Sequence, residues 1–416
     1  MKAIKEAIIL AGGLGTRLRD TVPDVPKCMA PVAGRPFLFY VINYLRLQGV
    51  EEIIFSLGYK HELITDYLAE QFPSLRYKCS IEAQPLGTGG AIALACKQAT
   101  EKNVLIANGD TLFDVDITEL AAMHSRNNAE CTLALKPMKN FERYGVVETN
   151  ATGVITRFME KKSYAEGDIN GGVYLLDREL FLSEPWPEIF SFEKDYLEKK
   201  QSGLFGIRQD GYFIDIGIPE DYTRAQTEFK KPVLDLKKID KEWTLFLDRD
   251  GVINVDKDGS YIFTPEEFKF LPGAPDLFRN LTEKFGRIIV ITNQRGVGRG
   301  LMTVNDLEAI HQKMKDKVSE AGGRIDGIYY CTATTNDDPL RKPNPGMAVL
   351  AKSDFPGIDF SRSIMVGNNI SDMKFGRNAG IYTVFVKTTQ PQMGLPNAEI
   401  DLSFADLEAF SKALNH

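Results

Sequence analysis

The sequence predicts an α/β protein of two domains, and three observations support this prediction. Short apolar, β-branched runs alternate with helical patterns along the whole 416-residue chain. The alternation stops once, in a Lys-rich stretch at 228–243, and then starts again. A chain of this length holds about two or three domains, at roughly one per ~150 residues. Because strands separated by helices form largely parallel sheets, we expect an α/β domain at 1–230, a linker at 231–241 and a second α/β domain at 242–416.

Each predicted strand is a short apolar run bounded by turn residues. In the first half these runs are AIILA, EEIIFSLG, NVLIANGD, CTLALKP and GGVYLLD. In the second half they are WTLFLDRDG, RIIVITNQ, GIYYCT, RSIMVGNN and YTVFV. Several of them end in Asp, Asn or Thr, which carry the polar chemistry considered below.

Composition and charge limit the classes of function. The chain is 43% hydrophobic and 26% charged, as in ordinary globular proteins, and its net charge of −7 argues against a nucleic-acid-binding surface. The first apolar run is too short for a signal peptide or a membrane span. The five cysteines lack a C-x-x-C pair, which indicates free thiols in a reducing compartment. We therefore expect a cytoplasmic protein without nucleic-acid or membrane partners; a homo-oligomer is one assembly that this composition allows.

The first strand leads into a glycine-rich loop, ILAGGLGTRL, that matches neither of two familiar phosphate-binding patterns. A dinucleotide fingerprint needs glycine where Leu18 stands, and a P-loop needs Gly-Lys-Ser/Thr where the glycines are followed by Thr16 and Arg17. Glycines still allow the backbone to approach a nucleotide, and exposed amides bind phosphate. Arg17 offers a planar fork for phosphate oxygens, and Lys27 offers a compact charge. The loop therefore predicts a nucleotide-phosphate site of another type.

This run resembles the signature of the sugar-nucleotide pyrophosphorylases, which join a nucleoside triphosphate to a sugar 1-phosphate. The likeness continues to about residue 226 and implies a Rossmann-like (GT-A-like) nucleotidyltransferase domain with a mixed sheet. It also implies that Arg17 and Lys27 act in catalysis. The nucleotide site implied by the resemblance consists of Ala11, Gly12, Gly13, Gly15, Thr16, Gln84, Gly87, Thr88 and Gly89.

The same resemblance implies a metal site and a sugar site. Asp110 in LIANGDTLF and Asp215 in YFIDIGIPEDY would hold Mg²⁺, a hard cation that proteins bind through one or two carboxylates plus phosphates. Taken alone, either aspartate is more typical of a helix cap or a turn than of a metal ligand, and the run EKKS alone is more typical of a solvated charged surface. The implied contacts to the sugar and its phosphate are Glu160, Lys161, Asn170 and Gly171.

The second half opens with a strand that ends in Asp248-x-Asp250, within LFLDRDGVINVD. Two carboxylates at this spacing suit a nucleophile and a nearby acid. The motif resembles that of the haloacid dehalogenase (HAD) phosphatases, and their later motifs follow in order. The resemblance implies a HAD-like Rossmannoid domain in which Asp248 attacks phosphorus and Asp250 transfers protons. Thr292 and Lys342 would hold the phosphoryl oxygens.

Further residues of this domain are assigned by the same resemblance. The substrate contacts would be Asn293, Gln294 and Arg341. The Mg²⁺ ligands would be Asp248, Asp250 (through its backbone carbonyl), Asn368 and Asp372. The intervals between the motifs are too short for a large cap domain, so we expect only short loops such as VDKDGSYI over the site.

Two positions depart from the patterns of the resembling proteins. Asn368 stands where the phosphatases usually have Asp, so Mg²⁺ affinity drops or Asp372 takes more of the burden. Within the HAD phosphatases, the second half resembles the histidinol-phosphatase-like branch, which usually carries a zinc loop. Here the corresponding stretch, CTATTNDDPLRKP, keeps only Cys331 of the zinc ligands, and Ala333 stands in the histidine position. Tetrahedral zinc needs four N or S ligands. We therefore expect no zinc and a buried thiol at the end of a strand.

The two resemblances together imply consecutive reactions on one sugar. The first half most resembles heptose 1-phosphate guanylyltransferases, and the C-terminal half resembles heptose 1,7-bisphosphate 7-phosphatases. They imply GTP, heptose 1-phosphate and heptose 1,7-bisphosphate as substrates, GDP-heptose for surface glycans as the product, and Mg²⁺ in both domains. Two alternatives stay open: a mannose or hexosamine 1-phosphate transferase with a general sugar-phosphate phosphatase, and one domain serving as a non-catalytic sensor or scaffold.

Overall fold

The structure is a computed structural model, and it describes residues 4–13, 25–230, 232–257, 259–394 and 397–415. The predicted site residues Gly15, Thr16 and Arg17 lie outside these ranges. None of the helices in the described part of the chain combines the length and apolar character that crossing a membrane requires.

The chain divides into two compact units, Met1–Lys231 and Pro232–His416. The predicted linker, 231–241, starts at this division. Leu234 and Ile239 within it are buried in the hydrophobic core of the second unit. This segment therefore contributes to the packing of the second unit.

The first unit is built on a mixed sheet of seven strands, in the order β12-β8-β11-β6-β1-β4-β5. The strands of this unit are β1 (Glu6–Leu10), β2 (Pro31–Val32), β3 (Arg35–Pro36), β4 (Glu52–Leu57), β5 (Arg76–Ile81), β6 (Asn103–Asn108), β7 (Thr111–Phe113), β8 (Cys131–Phe141), β9 (Val147–Thr149), β10 (Ile155–Phe158), β11 (Tyr164–Asp177), β12 (Leu204–Arg208) and β13 (Phe213–Asp215). The helices are α1 (Phe37–Leu47), α2 (His61–Gln71), α3 (Gly87–Cys96), α4 (Ile117–Arg126), α5 (Arg178–Ser183) and α6 (Pro219–Glu228), with a 3-10 turn at Lys27–Met29 and a π-helical turn at Phe192–Leu197. Strand β11 runs antiparallel to both of its neighbours, whereas the other pairs in this sheet are parallel. The mixed sheet expected from the sequence is confirmed.

Strand β1, in the interior of this sheet, is buried on both faces. Ala7 and Ile9 of β1 pack into one hydrophobic core, and Ile8 packs into the other. Successive side chains of a strand point to opposite faces, so a strand covered on both sides needs a continuous apolar run. This requirement explains the sequence EAIIL.

A short ribbon beside the sheet brings two distant segments together. Strand β13 pairs antiparallel with β7, and this register sets Asp215 opposite Thr111. The rings of Phe113 and Phe213 meet edge to face on the ribbon, with centroids 5.6 Å apart. The ribbon therefore places Asp215 next to Asp110, which directly precedes β7.

The second unit has a parallel sheet of six strands, in the order β16-β15-β14-β17-β18-β19. Its strands are β14 (Thr244–Leu247), β15 (Arg287–Asn293), β16 (Gly327–Cys331), β17 (Ser363–Gly367), β18 (Tyr382–Val386) and β19 (Leu402–Phe404). Its helices are α7 (Ala274–Lys284), α8 (Arg295–Gly298), α9 (Val304–Glu320), α10 (Gly346–Asp354), α11 (Ile370–Asn378) and α12 (Leu407–Ala413), with 3-10 turns at Leu236–Lys238 and Phe360–Arg362. The elements described between these strands are helices and loops of the unit itself, which agrees with the expected HAD-like domain without a large cap.

The carboxyl ends of the parallel strands collect polar side chains at one edge of the second sheet. Asp248 directly follows β14, Thr292 lies near the end of β15, and Asn368 directly follows β17. Cys331 ends β16 and is buried, as expected. Open α/β sheets bind their ligands outside this edge.

A buried histidine in the first unit makes a pH-dependent contribution to stability. His124 in α4 is 2% exposed, and its Nδ1 lies 3.0 Å from Thr132 Oγ1. Burial lowers the pKa of His124 from 6.5 to about 4. Between these values the unfolded chain takes up a proton that the folded chain does not, so stability falls as the pH drops from about 6.5 to about 4. A shift of this size corresponds to about 3 kcal/mol.

We expect His124→Asn to remove this part of the acid destabilisation. Each unit contains one tryptophan, so Trp243→Phe in the second unit leaves Trp186 to report unfolding of the first. The measurement is urea unfolding at pH 7 and pH 4.5 in that background, with and without His124→Asn. An equal loss of stability on acidification in both proteins would contradict the assignment to His124.

Candidate functional site

One cluster of charged side chains in the first unit joins three segments that are far apart in sequence. The ammonium group of Lys27 donates a hydrogen bond to Asp110, and its Nζ lies 3.5 Å from Asp215 Oδ1. Lys27 starts the 3-10 turn after Pro26, whereas Asp110 lies between β6 and β7. The fold thus brings together the lysine and both carboxylates that the sequence singled out.

Two further residues hold Asp215 in this arrangement. The backbone amide of Gly217 donates to Asp215 Oδ1 at 2.8 Å, and the Tyr144 hydroxyl donates to Asp215 Oδ2 at 3.3 Å. A Cβ at position 217 would lie 1.7 Å from Lys27 Nζ and 2.9 Å from Asp215 Oδ1. A side chain at position 217 would therefore displace the Lys27 ammonium group from its place beside Asp215.

The electrostatics of this cluster favour a cation between the two carboxylates. Burial disfavours the charged form of Lys27, but Asp110 and Asp215 outweigh this effect and raise its pKa. Burial and the neighbouring Asp110 raise the pKa of Asp215, against the opposing effect of Lys27. Burial also raises the pKa of Tyr144, so this hydroxyl stays a donor.

A cleft next to this cluster contains the residues predicted to contact a sugar phosphate. A cavity of about 530 Å³ is lined by Tyr144, Glu160, Lys161 and Asn170 among others. A second cavity of about 370 Å³ shares Tyr144 and Lys161 with it and reaches Asp215. The cleft therefore extends from Asp215 to the predicted sugar contacts.

The two predicted sugar contacts on β11 also have internal contacts. The side chain of Asn170 donates to the Tyr174 hydroxyl at 2.8 Å and accepts from the Gly172 amide at 3.0 Å. A Cβ at Gly171 would come within 2.3 Å of the Phe113 ring. The glycine thus allows β11 to pack closely on the ribbon that carries Asp215.

The described part of the glycine-rich loop packs tightly against the next strand. The Ala11 amide donates to the Ser56 carbonyl at 2.9 Å. A Cβ at Gly12 would lie 3.0 Å from Glu82 Oε1, whereas one at Gly13 would meet no described residue within 4 Å. Close packing therefore explains why position 12 is a glycine, whereas the described residues place no such limit on position 13.

The second predicted nucleotide loop begins helix α3. Gly87 has a φ of +70°, and Cβ atoms at Gly87 and Gly89 would overlap Phe190. Thr88 Oγ1 accepts from the Phe192 amide at 3.0 Å. The exposed Gln84 side chain donates to Glu188 Oε1 at 3.3 Å. These glycines thus have a packing role besides the predicted nucleotide contact.

A second cluster lies at the carboxyl edge of the parallel sheet. Lys342 Nζ lies 2.8 Å from Asp248 Oδ1 and 2.7 Å from Asp372 Oδ1, and it donates to the Ile291 carbonyl at 3.1 Å. Burial and the neighbouring Asp372 raise the pKa of Asp248, and Lys342 partly offsets them. Asp372 Oδ2 also accepts from the Asn369 amide in the capping box of α11.

The other aspartate of the motif faces a different set of donors. Asp250 accepts from Arg249 at 3.0 Å, from Asn254 at 3.0 Å and from Gln294 at 2.8 Å. The Gln294 side chain also donates to Thr292 Oγ1 at 2.8 Å. Burial opposes the charge of Asp250, but Arg249 and the hydrogen bonds outweigh it and lower its pKa. This carboxyl is therefore ionised in the structure.

The remaining predicted residues of the second unit border these two aspartates. The Asn293 side chain makes two hydrogen bonds with the Lys342 backbone. It accepts from the amide at 3.1 Å and donates to the carbonyl at 3.3 Å. Asn368 Nδ2 donates to Thr389 Oγ1 at 2.9 Å, and a Cβ at Gly251 would lie 2.0 Å from this nitrogen. Asn368 Oδ1 makes no hydrogen bond within the described residues, so it is available to a cation.

The two clusters differ in how they fit a metal ion. Among the residues that the structure describes, no group of three or more His, Cys, Asp or Glu side chains is arranged to hold one. Asp110 and Asp215 fit a hard cation as a facing carboxylate pair. In the second unit, Asp248 and the free oxygen of Asn368 fit one that takes further oxygens from the backbone and a phosphate.

Several residues of these clusters were not predicted from the sequence, among them Arg249, His311, Tyr144 and Gly217. Arg249 is fully buried and joins Asp250 to His311, whose Nε2 lies 3.1 Å from Arg249 Nη1. Burial and Arg249 lower the pKa of His311 to about 3, so the imidazole is neutral. The sequence did contain a signal for the Arg249–Asp250 pair, because an arginine stands between two aspartates at the end of a strand. Tyr144 and Gly217 left no comparable signal.

Comparisons with known proteins agree with this division into two units. The family model described as nucleotidyl transferase matches residues 6–231, and the model described as polynucleotide kinase 3 phosphatase matches residues 244–406. A D-glycero-alpha-D-manno-heptose 1-phosphate guanylyltransferase of Aneurinibacillus thermoaerophilus is 52% identical over 227 residues, which are 54% of this chain and 98% of the relative.

Two solved structures are similar to the separate units. HddC from Yersinia pseudotuberculosis is 37% identical, with a TM-score of 0.51, over 55% of this chain and all of that chain. A D,D-heptose 1,7-bisphosphate phosphatase from B. bronchiseptica, complexed with magnesium and phosphate, is 32% identical over 42% of this chain and 98% of that chain, with a TM-score of 0.38.

Proposed function

Since the chain belongs to the nucleotidyl transferase family through residues 6–231, we propose that it joins two consecutive steps of nucleotide-heptose synthesis. The second unit removes the C7 phosphate from D-glycero-D-manno-heptose 1,7-bisphosphate. The first unit then transfers GMP from GTP to heptose 1-phosphate and releases pyrophosphate. The observation that carries this proposal is the pairing of a nucleotidyltransferase unit with a phosphatase unit, because a phosphatase that spares the C1 phosphate supplies the transferase substrate.

The choice of heptose and GTP is supported by the relatives of the first unit. The guanylyltransferase at 52% identity is matched over 98% of its length, so the likeness extends over nearly the whole relative. The cleft lined by Glu160, Lys161 and Asn170 is large enough for a sugar phosphate. Its two cavities meet at Lys161, whose charge suits the phosphate that attacks GTP.

In the first unit, catalysis depends on position and charge. An oxygen of the sugar phosphate attacks the α-phosphorus in line, the bond to pyrophosphate breaks, and no covalent enzyme intermediate is needed. Lys27 lowers the repulsion between the phosphates and the carboxylates, and Arg17 is proposed to assist it. When bound at Asp110 and Asp215, Mg²⁺ neutralises charge at the α-phosphate. Gly217 and Tyr144 keep Asp215 directed at this point.

In the second unit, we assign the covalent step to Asp248. Its carboxylate attacks phosphorus as the bond to the sugar oxygen breaks, and Lys342 reduces the repulsion between two anions. Asp250, ionised in the structure, must first take up a proton from solvent; it gives that proton to the leaving sugar oxygen and then takes one from the water that cleaves the phosphoaspartate. Its ion pair with Arg249 favours the ionised form needed for that water. When bound at Asp248 and Asn368, Mg²⁺ screens the incoming phosphate.

The proposal includes Mg²⁺ in both units, no zinc, and reaction in the cytoplasm, where GTP is available. The cysteines at 28, 79, 96, 131 and 331 are all free thiols. Metal analysis of the purified protein should find less than stoichiometric zinc, and a zinc-selective chelator should leave phosphate release unchanged. Stoichiometric zinc bound through Cys331 would contradict this part of the proposal.

A substrate panel tests the proposed function. GTP, ATP, UTP and dTTP are each combined with heptose, mannose and glucosamine 1-phosphates, and pyrophosphate release is measured. We expect the highest kcat/KM for GTP with heptose 1-phosphate. A preference for mannose or hexosamine phosphate would favour the alternative transferase, and no pyrophosphate with any pair would favour a sensor.

Gly217→Ala should selectively impair the guanylyltransferase. The added methyl group would occupy the position of Lys27 Nζ, so the lysine must move away from Asp215. We expect kcat to fall about 10-fold or more, because a charge beside the reacting phosphates is misplaced. Pyrophosphate release measures the effect, and unchanged phosphatase activity of the same protein is the control. A full guanylyltransferase rate would show that the position of Lys27 is not needed.

A further inference from the structure

Two arginine side chains beside the second aspartate cluster share one neutral acceptor. Arg295 Nη2 and Arg341 Nε both donate to Asn336 Oδ1. Each arginine is the chain neighbour of a residue in that cluster, since Arg295 follows Gln294 and Arg341 precedes Lys342. The two guanidinium groups therefore converge next to the phosphatase site.

The positive charge of this pair is not neutralised within the described residues. No carboxylate there forms an ion pair with Arg295 or Arg341, and their common acceptor is an uncharged amide. Arg295 Nε is buried and has no hydrogen-bond partner in the described part of the chain. Burial, and then the neighbouring Arg295, lower the pKa of Arg341. Because a buried N–H without a partner destabilises a fold, this arrangement indicates an anionic ligand.

The loop that carries Asn336 is fixed by its own hydrogen bonds. Asn344 Nδ2 donates to the carbonyls of Asp338 at 2.7 Å and Asn336 at 3.4 Å. Arg341 Nη1 donates to the Ala333 carbonyl at 3.3 Å. The Asn336 side chain thus has a defined position from which it can orient both guanidinium groups.

We propose that Asn336 holds Arg295 and Arg341 as a fork for the phosphate that the phosphatase leaves on its substrate. This inference rests on the proposed function, because only a bisphosphate presents a second phosphate. Guanidinium groups bind phosphate through paired, charge-assisted hydrogen bonds. A neutral anchor orients them without cancelling their charge. The sequence predicted Arg341 as a substrate contact, whereas Arg295 as a ligand and Asn336 as a positioning residue come from the structure.

The test compares a substrate with two phosphates against one with a single phosphate. Arg295→Ala, Asn336→Ala and Asn336→Asp are assayed with heptose 1,7-bisphosphate and with p-nitrophenyl phosphate. For each variant we expect KM for the bisphosphate to rise about 10- to 100-fold with little change in kcat, as for a lost charge-assisted contact. Asn336→Asp should keep the hydrogen-bond acceptor for both arginines, but its negative charge should offset the positive charge of the fork. Kinetic constants for p-nitrophenyl phosphate should stay within about threefold.

Two controls separate this role from a general loss of structure. Arg279→Lys changes an arginine on α7 whose side chain, among the described residues, hydrogen-bonds the Ala321 carbonyl alone, and it should leave the kinetic constants for both substrates unchanged. The guanylyltransferase rate of every variant should also equal that of the wild type.

Three results would overturn the inference. Equal losses on both substrates would show a structural role, and unchanged KM for the bisphosphate would show that the fork does not contact it. In both cases the proposed function would still stand if the wild-type protein strongly prefers the bisphosphate to p-nitrophenyl phosphate. A wild type without that preference would refute the proposed function, and the inference with it.

Discussion

Asp248→Asn is expected to abolish phosphate release from heptose 1,7-bisphosphate while the guanylyltransferase keeps its normal rate. The amide has nearly the shape of the carboxylate but cannot attack phosphorus as an anion. Loss of a catalytic nucleophile lowers turnover by about 10⁴-fold or more. Inorganic phosphate release measures the first activity, and pyrophosphate release from GTP with heptose 1-phosphate measures the second.

The geometry of the cluster indicates that this variant folds. Lys342 lies between Asp248 and Asp372, so removing one carboxylate leaves the lysine paired with the other. The amide also removes the repulsion between two buried carboxylates. Thermal unfolding should therefore show a native-like transition. A phosphatase rate close to that of the wild type would refute Asp248 as the nucleophile.

Asp110→Asn is expected to have the opposite selectivity. It removes one of the two carboxylates that would hold Mg²⁺ and one of the two partners of Lys27. We expect guanylyltransferase turnover to fall about 10²- to 10³-fold, the usual effect of removing one electrostatic contact to a transition state. Phosphate release from the bisphosphate should stay at the wild-type rate.

The matched variant for this experiment is Asp114→Asn, which changes an exposed aspartate just after β7 in the same unit. Its guanylyltransferase rate should equal that of the wild type. Loss of both activities in Asp110→Asn would indicate a folding defect or one shared site, and it would contradict the account of two independent units.

Strands in the sheet interiors could be predicted from the sequence because burial on both faces requires a continuous apolar run. The run YTVFV coincides with β18, and RIIVITNQ contains β15. The edge strand β5, RYKCSI, was missed because its polar residues give no such run. Only the apolar half of β11 was predicted, since its first residues, YAEGDIN, are polar and pair with β8 beyond a bulge.

The chemistry of the site could be predicted in part for a similar reason. Aspartates that end apolar strands were visible in the sequence, and the fold brings Asp110 next to Asp215. The position of Lys27 between them depends on a ribbon and a turn distant in sequence, and no local pattern specifies it. The anchor of Arg341 was equally hidden, because Asn336 lies in a loop without periodicity.

The central claim is that the second unit produces the substrate of the first. Phosphorus NMR of heptose 1,7-bisphosphate treated with the wild-type protein in the absence of GTP tests it most directly. We predict that the C7 phosphate signal disappears and heptose 1-phosphate accumulates. Accumulation of the 7-phosphate would mean that the second unit destroys the substrate of the first, and it would contradict the proposed sequence of reactions.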